Sequence, residues 1–376
     1  MGGWVGWCMR VCWTGTFEPS FERNKRLAEY LSAANVHLER VRIPVWPIDR
    51  VHAFAQNQVS LAIKLIWAQL RLLLVLLARP RPDIYFVSYP GWFDVPVVKL
   101  ISTLKRRPLV FDPFISLYDT AITDRQLLKP TSLIARLARL VDRVAVRLSD
   151  RVIVDCPAHA RFMAQFAGVS EDKFGVVYLG ADEATFSPSA STSAGRDIVL
   201  FYGTYVPLQG VEIIVHAAHE LGESVQFRLV GEGQARNDAE RVARDLRVDS
   251  IEFIDPLPQA GLVDEMAAAS IVLGVFGSSP KANRVIPHKL FEAIACGRPV
   301  LTGATEAVTE TFSEAEIATC ALGDSKSLST SISDLLADPD HRDQLAVAGR
   351  QRFVRDFSRD AQARRLLGEL ASVVEH

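Results

Sequence analysis

Residues 281–302 read KANRVIPHKLFEAIACGRPVLT, and this stretch decides the fold. Leu290, Phe291, Ala293 and Ile294 surround Glu292 in a helical pattern that runs over 288–296. Pro287 is expected in the first turn of that helix, where its missing N–H satisfies no intrahelical bond. Gly297 is a good residue for the left-handed position just past the end. The strand pattern 299–302 follows, and another apolar run, 271–275, precedes. A helix between two continuous apolar runs is the repeating unit of a parallel sheet covered on both faces.

The same alternation extends outward. Strand patterns lie at 10–13, 84–88, 109–112, 151–155, 176–178, 198–202, 226–230 and 251–254, with helical patterns between most of them. The fold class is therefore α/β with parallel sheets. The small polar stretch SPSASTSAGR at 187–196 has no apolar periodicity and reads as a linker. It divides the chain into two doubly wound halves, whose ligands belong outside the carboxyl ends of the strands. The expected domains are 1–188 and 189–355, with a closing helix at 356–376 that crosses back to the first domain.

A length of 376 residues fits two domains, and 49% hydrophobic with 23% charged residues excludes a disordered chain. The net charge of −2 hides +7 in residues 1–190 and −9 in 191–376. The basic half favours an anionic partner. Cys8, Cys12, Cys156, Cys296 and Cys320 are scattered without a C-x-x-C pair, so reduced thiols are expected, with neither disulfides nor a zinc site. The start, MGGWVGWCMRVCW, lacks the apolar core of a signal peptide, and Met9 is a candidate functional start of a cytoplasmic protein.

Residues 59–78 form the longest apolar stretch, interrupted by Ser60, Lys64, Gln69 and Arg71. A buried or interfacial helix is expected there rather than a span. Arg136, Arg139, Arg143 and Arg147 fall on one helical face. With Arg79 and Arg81 they suggest peripheral attachment to an anionic membrane surface, the inner face of the plasma membrane. The alternative is a core helix beside a solvated basic stripe.

A carboxylate in the apolar company of Glu292 needs a partner. Either a nearby arginine or the two hydroxyls of a ribose would serve. Lys281, Arg284 and Lys289 gather where the helix begins, which suits a diphosphate. In FYGTYVPLQG, 201–210, a strand ends at Gly203–Thr204 and a helix starts after Gly210. That arrangement offers free N–H groups to an anion, or is simply a tight turn. In LVGEGQAR, 229–236, Gly231 and Gly233 leave room for a phosphate or nucleoside, while Arg236 replaces the third glycine of a dinucleotide fingerprint.

In the first half, WTGTFEPSFERNKR, 13–26, puts Gly15 and Thr16 in a turn after the first strand, with Arg23 and Asn24 opening a helix. Lys25 and Arg26 read as a solvated face. In FDPFISLYDTAITDR, 111–125, Asp119 is either a polar group near an acceptor or sugar, or a helix cap. His216 and His219 read as surface residues. Neither a G-x-S-x-G, an H-E-x-x-H nor a P-loop occurs, nor any nucleic-acid module.

Taken together, FYGTYVPLQG, LVGEGQAR, RVIPHKLFEAIACGRPVLT and VVYLGADEATFSP (176–188, with Gly180, Asp182, Phe186 and Pro188) resemble the retaining family 4 glycosyltransferases of the GT-B fold. The resemblance implies two Rossmann-like domains facing a central cleft. It implies a nucleotide-diphosphate sugar donor, carrying UDP or GDP, and a glycan or lipid-linked acceptor in cell-envelope polysaccharide or glycolipid synthesis. No metal or other cofactor and no nucleic-acid partner is expected. Glu292 would hold the donor ribose, and Arg284 and Lys289 would neutralise the diphosphate, with Asp119 the third residue near the reaction. Gly203, Thr204, Gly231, Gly233, Lys281, Val285, Ile286 and Pro287 would line the donor. Gly15, Thr16, Arg23 and Asn24 would face the cleft from the N-terminal domain. Two positions depart from the family pattern: Arg284 stands where a second Glu is usual, and Gln209 where a Lys is usual. A nucleotide-sugar epimerase and a non-catalytic nucleotide-sugar-binding scaffold subunit are the alternatives.

Overall fold

The computed structural model describes residues 9–46, 58–125, 127–189 and 195–374. They form two compact units, one of Met1–Ile122, Leu128–Tyr178 and Arg359–His376, the other of Thr123–Leu127 and Leu179–Ser358. The change of unit therefore falls at 178/179 and at 358/359, rather than at 188/189 and 355/356. The apolar run that ends in Val177 is buried in the first unit, whereas Leu179 already belongs to the second.

The first unit holds β1 (Arg10–Gly15), α1 (Glu22–Ala33), β2 (His37–Arg42), α2 (Gln58–Ala78), β3 (Ile84–Ser88), α3 (Val95–Lys105), β4 (Leu109–Asp112), α4 (Leu133–Leu148), β5 (Arg151–Val154), α5 (Pro157–Ala167) and β6 (Phe174–Val176). Its six strands are parallel, in the order β2-β1-β3-β4-β5-β6. Alternate residues serve opposite faces, as the pleat requires. Val11 and Trp13 pack with Leu27 and Tyr30 of α1, while Cys12 joins Leu72 of α2 and Val98 of α3.

The second unit holds β7 (Ile198–Tyr202), α6 (Val211–Leu221), β8 (Gln226–Val230), α7 (Arg236–Asp245), β9 (Ile251–Ile254), α8 (Gln259–Ala268), β10 (Ile271–Leu273), α9 (His288–Ala295), β11 (Val300–Gly303), α10 (Glu306–Thr309), β12 (Ala318–Cys320), α11 (Ser325–Ala337) and α12 (Pro339–Arg352). Its parallel order is β12-β11-β10-β7-β8-β9. The strand order reverses between β7 and β10, the switch point where doubly wound sheets leave a crevice for ligands. A last helix, α13 (Arg359–Ala371), rejoins the first unit and packs on α1. Gln362 Oε1 there accepts from the Tyr178 N–H at 2.7 Å, and Arg151 Nε donates to Glu369 at 2.8 Å.

β2 and β12, both edge strands, escape the sequence pattern: HLERVR is broken by the charges of Glu39, Arg40 and Arg42, and ATC is three residues long. The strand expected at 176–178 ends at Val176. Pro287 is not in the first turn of α9 but caps it from outside, with φ −69° and ψ 143°. Gly297 has φ +67°, as its place past the helix end requires.

Candidate functional site

In the second unit, the carboxyl ends of β7 and β10 meet the start of α9. The phenol of Tyr202, the last residue of β7, donates to Glu292 Oε2 at 2.7 Å. His288 Nδ1 lies 3.7 Å from Glu292 Oε1. The partner of Glu292 is therefore a tyrosine rather than an arginine, and the carboxylate is 8% exposed. Burial first, and the neighbouring carboxylate second, push the Tyr202 phenol well above its usual range. It stays a donor, and fixes one carboxylate oxygen.

Lys289, in the first turn of α9, is buried, at 4% exposed. Its Nζ donates to Gln209 Oε1 at 2.7 Å, has Gly274 O at 3.4 Å, and lies 3.7 Å from the centroid of the Phe201 ring. Burial drives the ammonium well below the ordinary lysine value, with Glu292 opposing. A desolvated cation of this kind gains from any anion that reaches it. Gly203, at φ +146°, borders the same point, since a Cβ there would stand 3.3 Å from Nζ.

The glycines of the neighbouring loops have a packing role. A Cβ on Gly231 would stand 2.0 Å from Gly203 O, and one on Gly233 2.6 Å from Tyr205 O. Tyr205 N–H donates to Glu232 O at 2.7 Å, closing the two loops on each other. A side chain at Gly231 or Gly233 would therefore collide with the backbone of the facing loop. Gly210, with φ +66°, lets its loop touch Gly277, and Phe276 N–H donates to Gln209 O at 3.1 Å. These contacts hold Gln209 in front of Lys289. Thr204 is exposed beside them.

The three expected cations are not equivalent. Lys281 is buried, with its Nζ 3.7 Å from Asp124 Oδ2. Arg284 is partly exposed at the end of the turn Ala282–Arg284. Val285 is partly exposed, and Ile286 and Pro287 are buried ahead of α9. No side chain caps the first turn of α9, so its N–H groups face the approach with Arg284 close in sequence.

In the first unit, Gly15 has φ +125° and stands against Asp94. The Thr16 N–H and hydroxyl both donate to Asp94 Oδ2, at 2.6 and 2.9 Å, and Gln69 donates to the other oxygen at 2.7 Å. Burial pushes the Asp94 carboxyl up to about 6. Arg23 is not available to a ligand. It is fully buried, bonded to Asp112 at 2.6 and 2.9 Å and to Val177 O at 2.7 Å. Asn24, also buried, donates to Glu18 O and Tyr89 O. Arg26 is buried too, paired with Glu22 and Glu29, which corrects its reading as a solvated residue; Lys25 is exposed. Asp119 is buried in a wide helical turn, Asp119–Asp124. The cap of that turn is Ser116, whose Oγ accepts from Asp119 N–H at 3.0 Å and donates to Asp142 at 2.7 Å.

Sequence reasoning missed Asp94, Asp142 and a pair after β5, Asp155 and His159, whose carboxylate and Nδ1 meet at 2.7 Å. The D-x-x-x-H spacing at a strand end was the available signal. Among the described residues no group of His, Cys, Asp or Glu could hold a metal ion. His216 is exposed and 3.9 Å from Glu212. Cys12, Cys156, Cys296 and Cys320 are free thiols, and Cys8 lies outside the described residues.

Comparison with known proteins extends this picture. Residues 20–180 match the family described as "Glycosyl transferase 4-like domain", and residues 209–368 the family described as "Glycosyl transferase-like". The chain is 28% identical over 299 residues to a D-inositol 3-phosphate glycosyltransferase of Acidothermus cellulolyticus, covering 70% of this chain and 64% of that protein. It is 27% identical over 191 residues to a GDP-mannose-dependent alpha-(1-6)-phosphatidylinositol monomannoside mannosyltransferase of Mycolicibacterium smegmatis, covering 46% and 49%. The chain thus spans less than two thirds of the length of each of these relatives. Among solved structures, Anabaena HepE in complex with UDP and glucose matches with TM-score 0.70 at 17% identity, over 97% of this chain and 100% of that one. Sucrose-phosphate synthase from Thermosynechococcus elongatus matches with TM-score 0.74 at 19% identity, over 96% and 98%. At these identities the two structures speak for the fold, a pair of Rossmann-like domains of the GT-B type.

Proposed function

Because the chain belongs to the family 4, group 1 glycosyltransferases, we propose that it moves a sugar from a nucleotide-diphosphate sugar to an acceptor hydroxyl with retention of anomeric configuration. The observation that carries this reading is the pairing at the β7–β10 switch point of a desolvated Lys289 ammonium with a Glu292 carboxylate held by Tyr202. Glu292 would accept from the ribose hydroxyls. Lys289, Arg284 and the uncapped start of α9 would take the charge that grows on the departing diphosphate. The bond from the anomeric carbon to the β-phosphate oxygen breaks as the acceptor oxygen attacks the same face. The acceptor proton passes to the leaving phosphate, so the protein needs no nucleophile of its own.

The relative named for phosphatidylinositol monomannoside supports a glycan or lipid-linked acceptor; a role in cell-envelope synthesis at the cytoplasmic face of a membrane belongs to the same proposal. The family pattern has a Lys where Gln209 stands. Lys289 touches Gln209 at 2.7 Å, which supports the view that the cation has moved from one loop to the facing helix.

The test is a thermal-shift screen over UDP, GDP and their sugars, followed by product analysis with the best donor. Stabilisation by one nucleotide, abolished in Glu292→Ala, and a glycosylated product of unchanged anomeric configuration are expected. Donor isomerised without acceptor would make the chain an epimerase, and donor bound without turnover a scaffold subunit. Unaltered nucleotide binding by Glu292→Ala would remove the site from α9.

A further inference from the structure

The outward side of the first unit is more apolar than a solvated surface tolerates. α2 buries Ala68, Leu72 and Leu76 against the sheet, as an ordinary covering helix does. Its opposite side is equally apolar and open: Trp67 is 68% exposed and Leu74 67%, with Ile63 and Ile66 beside them. α2 packs on α3 and α3 on α4. The neighbours continue the patch, with Leu104 of α3 and Leu133, Leu137 and Leu140 of α4 all exposed. A monomer's surface rarely carries so extended an apolar patch without a partner.

The charge on these three helices has one sign. They carry eight Lys and Arg residues and a single acid, Asp142. That acid is buried and bonded to Ser116 and the Leu117 and Tyr118 N–H groups. Several of the cations rest on carbonyl oxygens, which leaves their charge uncancelled: Lys105 on Leu76 O, Arg143 on Phe166 O and Arg147 on Ala167 O. Lys64, Arg71 and Arg136 are exposed among the apolar residues.

We propose that the α2–α3–α4 face docks flat on an anionic phospholipid bilayer, with Trp67 and the exposed leucines in the headgroup–acyl boundary and the basic residues on lipid phosphates. The stretch Ser60–Ala78 is long and apolar enough to cross a membrane. One side of α2 is already committed to the protein core, however, and Lys64 and Arg71 interrupt the other, so the helix lies in the interface. A second copy of the chain is a poor occupant, because a two-fold contact through this face would press like charges together. The proposal is independent of the sugar chemistry, and its test uses no donor.

The full chain is co-sedimented with phosphatidylcholine vesicles and with the same vesicles doped with phosphatidylglycerol. Binding to the doped vesicles alone, weakened by added salt, is expected. Ile66→Ser/Trp67→Ser/Leu74→Ser should reduce it at least tenfold, and Arg71→Glu/Arg136→Glu should remove the preference for anionic lipid. Both variants should keep the wild-type melting temperature. Trp67 emission should shift to the blue with doped vesicles, a shift lost in Trp67→Phe. Wild-type protein that ignores both vesicles, or triple-variant protein that binds as wild type, overturns the proposal. So does a triple variant whose only change is conversion of a dimer to a monomer, which would make the face a self-interface.

Discussion

The ammonium of Lys289 on α9 and the side-chain carbonyl of Gln209 in the loop before α6 meet at 2.7 Å, though they are 80 residues apart in sequence. The contact makes the two positions exchangeable in charge. Lys289→Gln should fold, because an amide pair replaces the amide–ammonium pair, but should weaken nucleotide diphosphate binding at least tenfold, about 1.4 kcal/mol. The swap Gln209→Lys/Lys289→Gln should recover most of that loss. Titration calorimetry checks both. Equal affinity in wild type and Lys289→Gln, or a swap no better than the single variant, would place the diphosphate elsewhere.

Burial holds the Lys289 pKa well below its ordinary value in the free protein, and a bound diphosphate must raise it again. At any pH near or above the free-site pKa, binding therefore takes up a proton, and affinity falls as pH rises through that value. Calorimetry of nucleotide binding in two buffers of different ionisation enthalpy should give different heats, with the sign of uptake. Heats that do not depend on the buffer would show that this lysine keeps one charge state throughout.

Arg23 and Asp112 form a fully buried pair, so Arg23→Ala should cost stability before it costs substrate. Removing one partner of such a pair typically loses about 3–5 kcal/mol, while replacing both by apolar residues loses far less. Denaturant melts of Arg23→Ala and Arg23→Met/Asp112→Leu should show that order. A stable Arg23→Ala with specifically impaired turnover would instead restore this residue to the site.

Burial, the leading cause, pushes the Asp94 carboxyl up to about 6 in the fold, against 3.8 for a solvated aspartate. A raised folded pKa means that the stability linked to this proton is complete below pH 3.8 and is lost as pH rises through about 6. The loss is on the order of 3 kcal/mol. Asp94→Asn keeps the shape and lets Gln69 turn its amide to match. Its stability should fall less than that of wild type between pH 4 and 6.5, measured by urea melts. Parallel curves for the two proteins would argue against a protonated Asp94.

Much of this was legible from local pattern. Strands buried on both faces announce themselves, as at 84–88, 109–112 and 198–202, where the expected and observed limits agree; 226–230 and the edge strand 251–254, less buried, are still marked by their apolar residues. β2 and β12 do not announce themselves, because one is broken by charged residues and the other is only three residues long. Within the site, α9 and the lone carboxylate on it could be read. Its tyrosine partner could not, since Tyr202 lies 90 residues away. Charged residues mislead for the same reason: Arg23 reads as facing the cleft and Arg26 as solvated, whereas both are buried, paired with an acid from a distant strand in one case and with acids of the same helix in the other.

The return of α13 to the first unit has a consequence for synthesis. The hydrophobic side of α1 that Leu366 and Leu370 cover stays open until α13 has left the ribosome. The later-made unit, nearly contiguous in the chain, can therefore finish folding while the earlier one still waits for its final piece.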